Sequence, residues 1–543
     1  MQRTKITLCL ALTLLGRASQ SFAQQRTDST LPPATIEVIQ TYQPKVKQTP
    51  KPDFKPDLPP HDTSRPNFKY DVPQQTLYYT YSSLPLRPLA LGKDSSALPF
   101  ANYAMMGGGT QSSIFFDAGI AQFKDKNYNS SIHLHHLSQE GNIKNQKSSL
   151  SGIEAEGTLQ TNGNIWCAGI DIVRNRFHYY GYDHNLYDYS SLQSQITYTG
   201  VKAFVGVQNN LSNKFGLDYK ATIGFTNYNN DQGISEQGIS FDVPVSKIID
   251  SSFSAGVGIN GQYVYMSQSQ ATFNNYILQL TPNVSFRSEG FKAKLGVNPT
   301  LGMNGNSYLL PDLSLSYIPA KTSVLIGLGW QAHLQANTLR ELSNQNPYLF
   351  PTFDVQQTRI DEIFASVESK VGNHFSFGGK FSWFQYNNLP LFLNDTLDQK
   401  QFYLLYDSHV TAIALQLTAR YQIARTISVG LSGTFTNYTQ SSYAYVWHQP
   451  GVRLKGDFHW KPLPKLDVAA YLNVMGGLYA RNQAHQAVKL PSIFDFGFSG
   501  EYQFIPRLSA FIQVNNLFNN QYQRWYNYPV YGTNLIGGLR LKF

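Results

Sequence analysis

The sequence predicts an all-β protein, a large transmembrane antiparallel β-barrel of about 22 strands. Three observations carry that expectation. Apolar and polar residues alternate with a period of two through most of the chain beyond about Ser112, as strands with two different faces require. Aromatic residues reach 14% and charged residues only 14%, against about 25% charged in an ordinary soluble domain. After the first 23 residues no apolar run is long enough for a helical span, which needs about 18 or more. A large secreted β-sandwich or propeller is the soluble alternative with a similar Tyr and Gly content.

Residues 1–23 read as a signal peptide. Arg3 and Lys5 supply the positive segment, Ile6 to Leu15 the apolar core, and Ser21-Phe22-Ala23 a small-residue cleavage site. Arg17 ends the apolar run, so no spanning helix is expected. Cys9 lies inside that core without the small residue a lipid anchor needs. Cys167 is then the one cysteine of the mature chain, which excludes an internal disulfide and any multi-cysteine metal centre. The net charge of +9 includes Arg3, Lys5, Arg17 and Arg26. The remaining charges are scattered, and no nucleic-acid partner is expected.

Residues 24–100 form a Pro-rich, flexible periplasmic segment in this reading. Thirteen of the 27 prolines lie between Leu31 and Phe100, a composition that favours extended chain over a packed core. Within it, Thr35, Ile36, Glu37, Val38 and Ile39 make a short β-branched patch that suits addition to a partner's sheet edge.

Residues 101–543 are the expected barrel. Phe253, Ala255, Val257, Ile259 and Tyr263 alternate against Ser254, Gly256, Gly258, Asn260 and Gln262, and Val324, Ile326, Leu328 and Trp330 against Ser323, Gly327 and Gln331. Turn signals such as Ser288-Glu289-Gly290, Gly372-Asn373-His374 and Leu463-Pro464-Lys465 separate the strands. Longer connections, among them 183–190, 334–357, 387–400, 440–449, 481–490 and 519–530, are expected on the extracellular side. Gly107-Gly108-Gly109 reads as a flexible lead into the first strand. In the last eleven residues Leu535, Gly537, Leu539, Leu541 and Phe543 share one face and Asn534, Gly538, Arg540 and Lys542 the other, with Ile536 the misfit.

The C-terminal third resembles TonB-dependent receptors. The stretch carrying Asn515, Asn516, Leu517, Phe518 and Tyr522, then Pro529, Gly532 and the terminal strand ending in Phe543, is similar to the closing signature of that family. Asn346-Pro347-Tyr348-Leu349-Phe350-Pro351 is similar to one of its loops. The resemblance implies an outer-membrane location, contact with outer-membrane lipid, and recognition of the C-terminal strand by the barrel assembly machinery. It also makes residues 35–39 similar to a TonB box, for TonB or another periplasmic protein. The family's N-terminal plug has no counterpart here, since the 24–100 segment is Pro-rich; a barrel with no folded plug domain is expected.

Candidate chemistry is sparse. His133 and His135 share a strand face at a spacing that suits zinc or copper, but His136 points away and no carboxylate lies nearby in the chain, so polar lumen lining or a membrane-interface position is the preferred reading and no metal is assigned. His178, His184, Asp183 and Asp188 lie among Tyr179, Tyr180, Tyr182 and Tyr187, read as an interfacial girdle in preference to a sugar- or peptide-stacking loop. No nucleophile–base constellation stands out, so the chain reads as a non-enzyme without a cofactor. Two functions remain: transport or uptake of a bulky solute, or a structural or assembly role within an outer-membrane complex.

Overall fold

The computed structural model describes residues 102–543 apart from 125–126, 211–212, 214 and 424–425. The expected signal peptide, the Pro-rich segment and Thr35–Ile39 lie outside the described residues. From β1 (Tyr103–Gly109) and β2 (Ile114–Lys124) the chain runs antiparallel through β3 (Tyr128–Glu140), β4 (Lys147–Gln160), β5 (Asn164–His178), β6 (Gln195–Asn209), β7 (Leu217–Asn230), β8 (Ser235–Ile248) and β9 (Phe253–Ser267). The same up-and-down course continues to the last strand, Asn534–Lys542, which pairs with β1 and closes the sheet. One sheet holds 23 strand segments. Thr272–Leu280 and Asn283–Ser288 both pair with β9 as two halves of one wall strand, broken at Thr281-Pro282 where proline can donate no ladder bond. The result is a closed barrel of 22 strands.

The two faces follow the alternation in the sequence. Ile170, Ile172, Ile223, Phe225, Leu328, Trp330, Leu415 and Leu417 project outward and stay exposed, as lipid-facing side chains do. In the last strand Leu535, Leu539 and Leu541 are among them, as is Phe543 just beyond it, while Arg540 pairs inside with Glu501 at 2.9 Å. Ile536, the misfit, is 2% exposed on the inner face. Strands of 13–15 residues are common, longer than the roughly 9–11 a tilted crossing needs, so the wall stands above the bilayer.

The first strand begins at Tyr103, ahead of the expected start near Ser112, because the glycine run is part of it. Gly107 and Gly108 pair with Gly538 and Gly537 across the closing seam. A Cβ on Gly107 would lie 2.6 Å from the Gly537 carbonyl oxygen, so these glycines serve close approach of two backbones rather than flexibility.

One end of the barrel carries short turns, such as 289–290, 372–374, 464–465 and 506–507. The other carries the long connections 179–194, 336–357, 388–409, 441–451, 477–492 and 516–533, and is the extracellular end in barrels of this class.

Candidate functional site: a lid built from loops

The largest buried core lies at the long-loop end. Tyr179, Tyr180, Leu339, Leu342, Leu349, Phe353, Val355, Phe392, Phe402, Trp525 and Tyr528 come from four loops. They pack with Ile196, Tyr198, Tyr228 and Met266 from inward positions at the tops of β6, β7 and β9. Loops from opposite walls therefore meet over the bore. Burying each such side chain is worth about 1.5–3 kcal/mol.

A stack of two tyrosines sits at the centre. Tyr348 and Tyr528 lie 3.8 Å apart between centroids at 24°, and Tyr180 meets Tyr528 edge-on at 4.7 Å. Gly181 permits this approach, since a Cβ there would intrude on the Tyr528 ring. Burial pushes the Tyr348 and Tyr528 hydroxyls well above the usual phenol range, so the stack stays neutral.

Hydrogen bonds to backbone carbonyls, from side chains and from backbone N–H groups, stitch the loops together. Tyr179 donates to Leu349 O at 3.0 Å, Tyr198 to Pro347 O at 2.8 Å and Tyr180 to Pro529 O at 2.9 Å. Tyr528 donates to Lys400 O. Phe350 N donates to Phe402 O, and Phe402 N to Tyr348 O, both at 2.9 Å. The lid contains no covalent link among the described residues.

The loop 336–357 crosses furthest. Its helix Leu339–Gln345 starts at a capping box between Thr338 and Glu341. Glu236 of β8 accepts from Leu339 N, Tyr228 of β7 meets Ser343 at 3.1 Å, and Arg340 pairs with Asp171 on the inner face of β5. A helix tethered between the strands Val324–Gln335 and Thr358–Val371 is thus anchored to the far wall.

His448 lies wholly inside the lid between Phe402 and Trp525, with ring centroids 5.5 and 5.0 Å away. Arg524 donates to its carbonyl at 2.7 Å. Burial first, then the Arg524 charge, holds this imidazole down to about 3.

The sequence-marked residues divide between lid and wall. Asn515 ends its strand opposite Asn534. Asn516 adopts φ 47° and donates to Asn520 O and Tyr531 O, both at 2.9 Å, which shapes the last loop. Leu517 and Phe518 stay exposed at the outer rim, where Phe518 packs on Phe494 at 5.7 Å. Tyr522 packs on the cluster Leu478, Ala480, Leu490 and Ile493. Pro529 supplies the carbonyl that receives Tyr180 and Gln146. Gly532 faces Asn519 Oδ1, and Phe543 N donates to Asn102 O at 3.0 Å. Tyr179 and Tyr180 are corrected from a membrane girdle to lid core, at 1% and 7% exposure, and Tyr182 is buried beside them against Tyr189 and His184.

The histidine strand holds a second arrangement. His133 and His135 project into the lumen, while His136 on the other face bonds Ser151 Oγ at 2.8 Å. Flanking strands supply the carboxylates that the local sequence lacks. Asp117 of β2 lies 3.0 Å from His133 Nε2, and Glu154 of β4, opposite His133 in register, lies 3.9 Å from Nδ1.

No protein-family model matches this sequence, and no curated protein matches it either. Solved structures do. The siderophore receptor PirA from Acinetobacter baumannii is similar with a TM-score of 0.62 at 10% identity, over 81% of this chain and 80% of that one. The FrpB iron transporter from Neisseria meningitidis gives 0.62 at 10%, over 82% and 81%. The FpvAI–pyocin S2 complex gives 0.59 at 12%, over 82% and 70%. At such identity the likeness is one of fold, and with the lipid-facing wall it identifies the protein as a 22-strand outer-membrane β-barrel.

Proposed function

We propose that this barrel belongs with plugless, TonB-dependent-receptor-like proteins and admits a bulky solute across the outer membrane through a bore gated by its own loops. The carrying observation is the lid, in which four loops from opposite walls bury one shared core through non-covalent contacts. A seal of that kind can part and re-form. The solved neighbours include a siderophore receptor and an iron transporter, which supports a transport reading for the fold. In this reading residues 24–100 stay periplasmic and 35–39 engage TonB or another periplasmic protein. The barrel spans 101–543, and its C-terminal strand is read by the assembly machinery.

The test is single-channel conductance in planar bilayers, together with entry of a large antibiotic into cells. Tyr348→Ala combined with Tyr528→Ala removes the central stack, and each large-to-small change costs about 3–5 kcal/mol of lid packing. The wild type is expected to stay closed with rare openings, and the double variant to open for long periods and sensitise cells. A correctly assembled double variant that stays silent would end the gating account.

The second reading is a structural or assembly component. It draws on Leu186, Leu192 and Leu397, which are 75%, 81% and 74% exposed in the long-loop connections, where apolar side chains invite a protein partner. Silent double-variant channels would favour it.

A further inference from the structure

We infer that His133, His135 and Glu154 form a lumenal binding site for a zinc-like divalent cation, with Asp117 positioning His133. One donor atom from each of the three lies within 4.8 Å of the other two. Zinc–ligand bonds of about 2.0–2.2 Å place tetrahedral donors about 3.3–3.6 Å apart, so closure needs contraction of about an ångström. Glu154, with its side chain 53% exposed, supplies that movement by rotamer change.

Three features distinguish the cluster from ordinary polar lining. First, the donors are two imidazoles and one carboxylate, a set suited to zinc and its first-row neighbours rather than to magnesium or calcium. Second, the two nitrogens of His133 are already differentiated. Nε2 lies 3.0 Å from Asp117 Oδ2, and Nδ1 faces Glu154 Oε2 at 3.9 Å. A carboxylate that receives Nε2–H fixes the tautomer whose Nδ1 lone pair is free for a metal. Third, His135 lies over Gly152, its register partner on β4. A Cβ at Gly152 would occupy the space of this ring, 2.7 Å from Nε2, so the glycine leaves a niche beside the ligand set. The side chains of His133 and Glu154 are 38% and 53% exposed, so water or a passing ligand can reach a bound ion.

The test uses the untagged, refolded full-length barrel titrated with cobalt(II) alone, followed by ligand-field absorption and then displaced with zinc(II). One equivalent of cobalt with a tetrahedral or five-coordinate band is expected. His135→Ala and Glu154→Gln should weaken binding a hundredfold or more, and Asp117→Asn about 10–100-fold with the band shape kept. His136→Ala, on the opposite face, should leave affinity unchanged. Heat-modifiable migration on gels confirms that each variant is closed; if the histidine variant fails to assemble, the near-isosteric Glu154→Gln and Asp117→Asn carry the test. Absence of a stoichiometric band, or affinity indifferent to Glu154→Gln, overturns the site, and affinity indifferent to Asp117→Asn overturns the positioning role. The readout is independent of solute passage, so it stands or falls apart from the transport reading.

Discussion

His448 shows how a single residue can tie the lid to pH. Its backbone takes the left-handed region, φ 57°, and its ring is wholly buried with neither nitrogen bonded among the described residues. In an opened lid the imidazole returns to its ordinary value of about 6.5, against about 3 when buried. Between those values the opened lid binds the extra proton. The closed lid therefore has the full benefit of neutral His448 above about pH 6.5 and loses it as the pH falls toward 3. By pH 5 the loss is roughly 2 kcal/mol. Limited proteolysis of the loop 441–451 is expected to quicken as the pH falls from 7 to 5. His448→Asn, which tolerates the backbone and does not titrate, should flatten that response by on the order of tenfold relative to wild type. An identical pH profile in the variant would assign the response to other groups. Nothing in the local run Trp447-His448-Gln449 announces this role, because the burial comes from Phe402 and Trp525 elsewhere in the chain.

At the scale of elements, strands and lid differ in how far the sequence reveals them. The strands are legible because each one's faces are set by its own alternation, as Val324–Gln335 shows with Ile326, Leu328 and Trp330 on the lipid side. The histidine cluster is half legible. His133 and His135 declare a shared face, but Glu154 joins them only through the β3–β4 register about the 141–146 turn. Pairing positions equidistant from that turn would have found it. The lid is not legible, since Tyr180 meets Pro529 across 349 residues of sequence. Its key element is the helix Leu339–Gln345, seven residues long and too short to persist without tertiary support. Arg340 supplies part of that support by pairing with Asp171, their side chains 23% and 27% exposed. Arg340→Met keeps the apolar stem and deletes the charge pair, at a cost of about 1–3 kcal/mol. Amides 339–346 are then expected to exchange with solvent on the order of ten- to a hundredfold faster, while those of the wall strand Thr358–Val371 stay protected. Unchanged exchange in the helix would show that the apolar residues Leu339 and Leu342 suffice to hold it.

The whole molecule depends on one seam, because a barrel is stable only when its first and last strands meet and no edge is left exposed to lipid. Here β1 and Asn534–Lys542 meet through Gly107 against Gly538 and Gly108 against Gly537. Added Cβ atoms at Gly109 and Gly538 would overlap the carbonyl oxygens of Leu535 and Met106. The composition of Gly107-Gly108-Gly109 is visible in the sequence, but its purpose appears only with the partner strand more than 400 residues away. Not every wall glycine is so constrained: a Cβ on Gly379 would make ordinary contacts at 3.6 Å with Leu417 and 3.8 Å with Val367. Gly107→Val should therefore block closure, whereas Gly379→Val should assemble as wild type does, both with β-branched residues favoured in strands. The measurement is the fraction of refolded protein that migrates as the compact, heat-modifiable form. Near-complete loss is expected for Gly107→Val and near-wild-type yield for Gly379→Val. Equal yields would mean that the seam has room for side chains and that closure is set elsewhere. Unequal yields in the expected order would make the glycine-paired seam the step on which lid, lumen and histidine cluster all depend, since each needs a closed wall to bring its distant residues together.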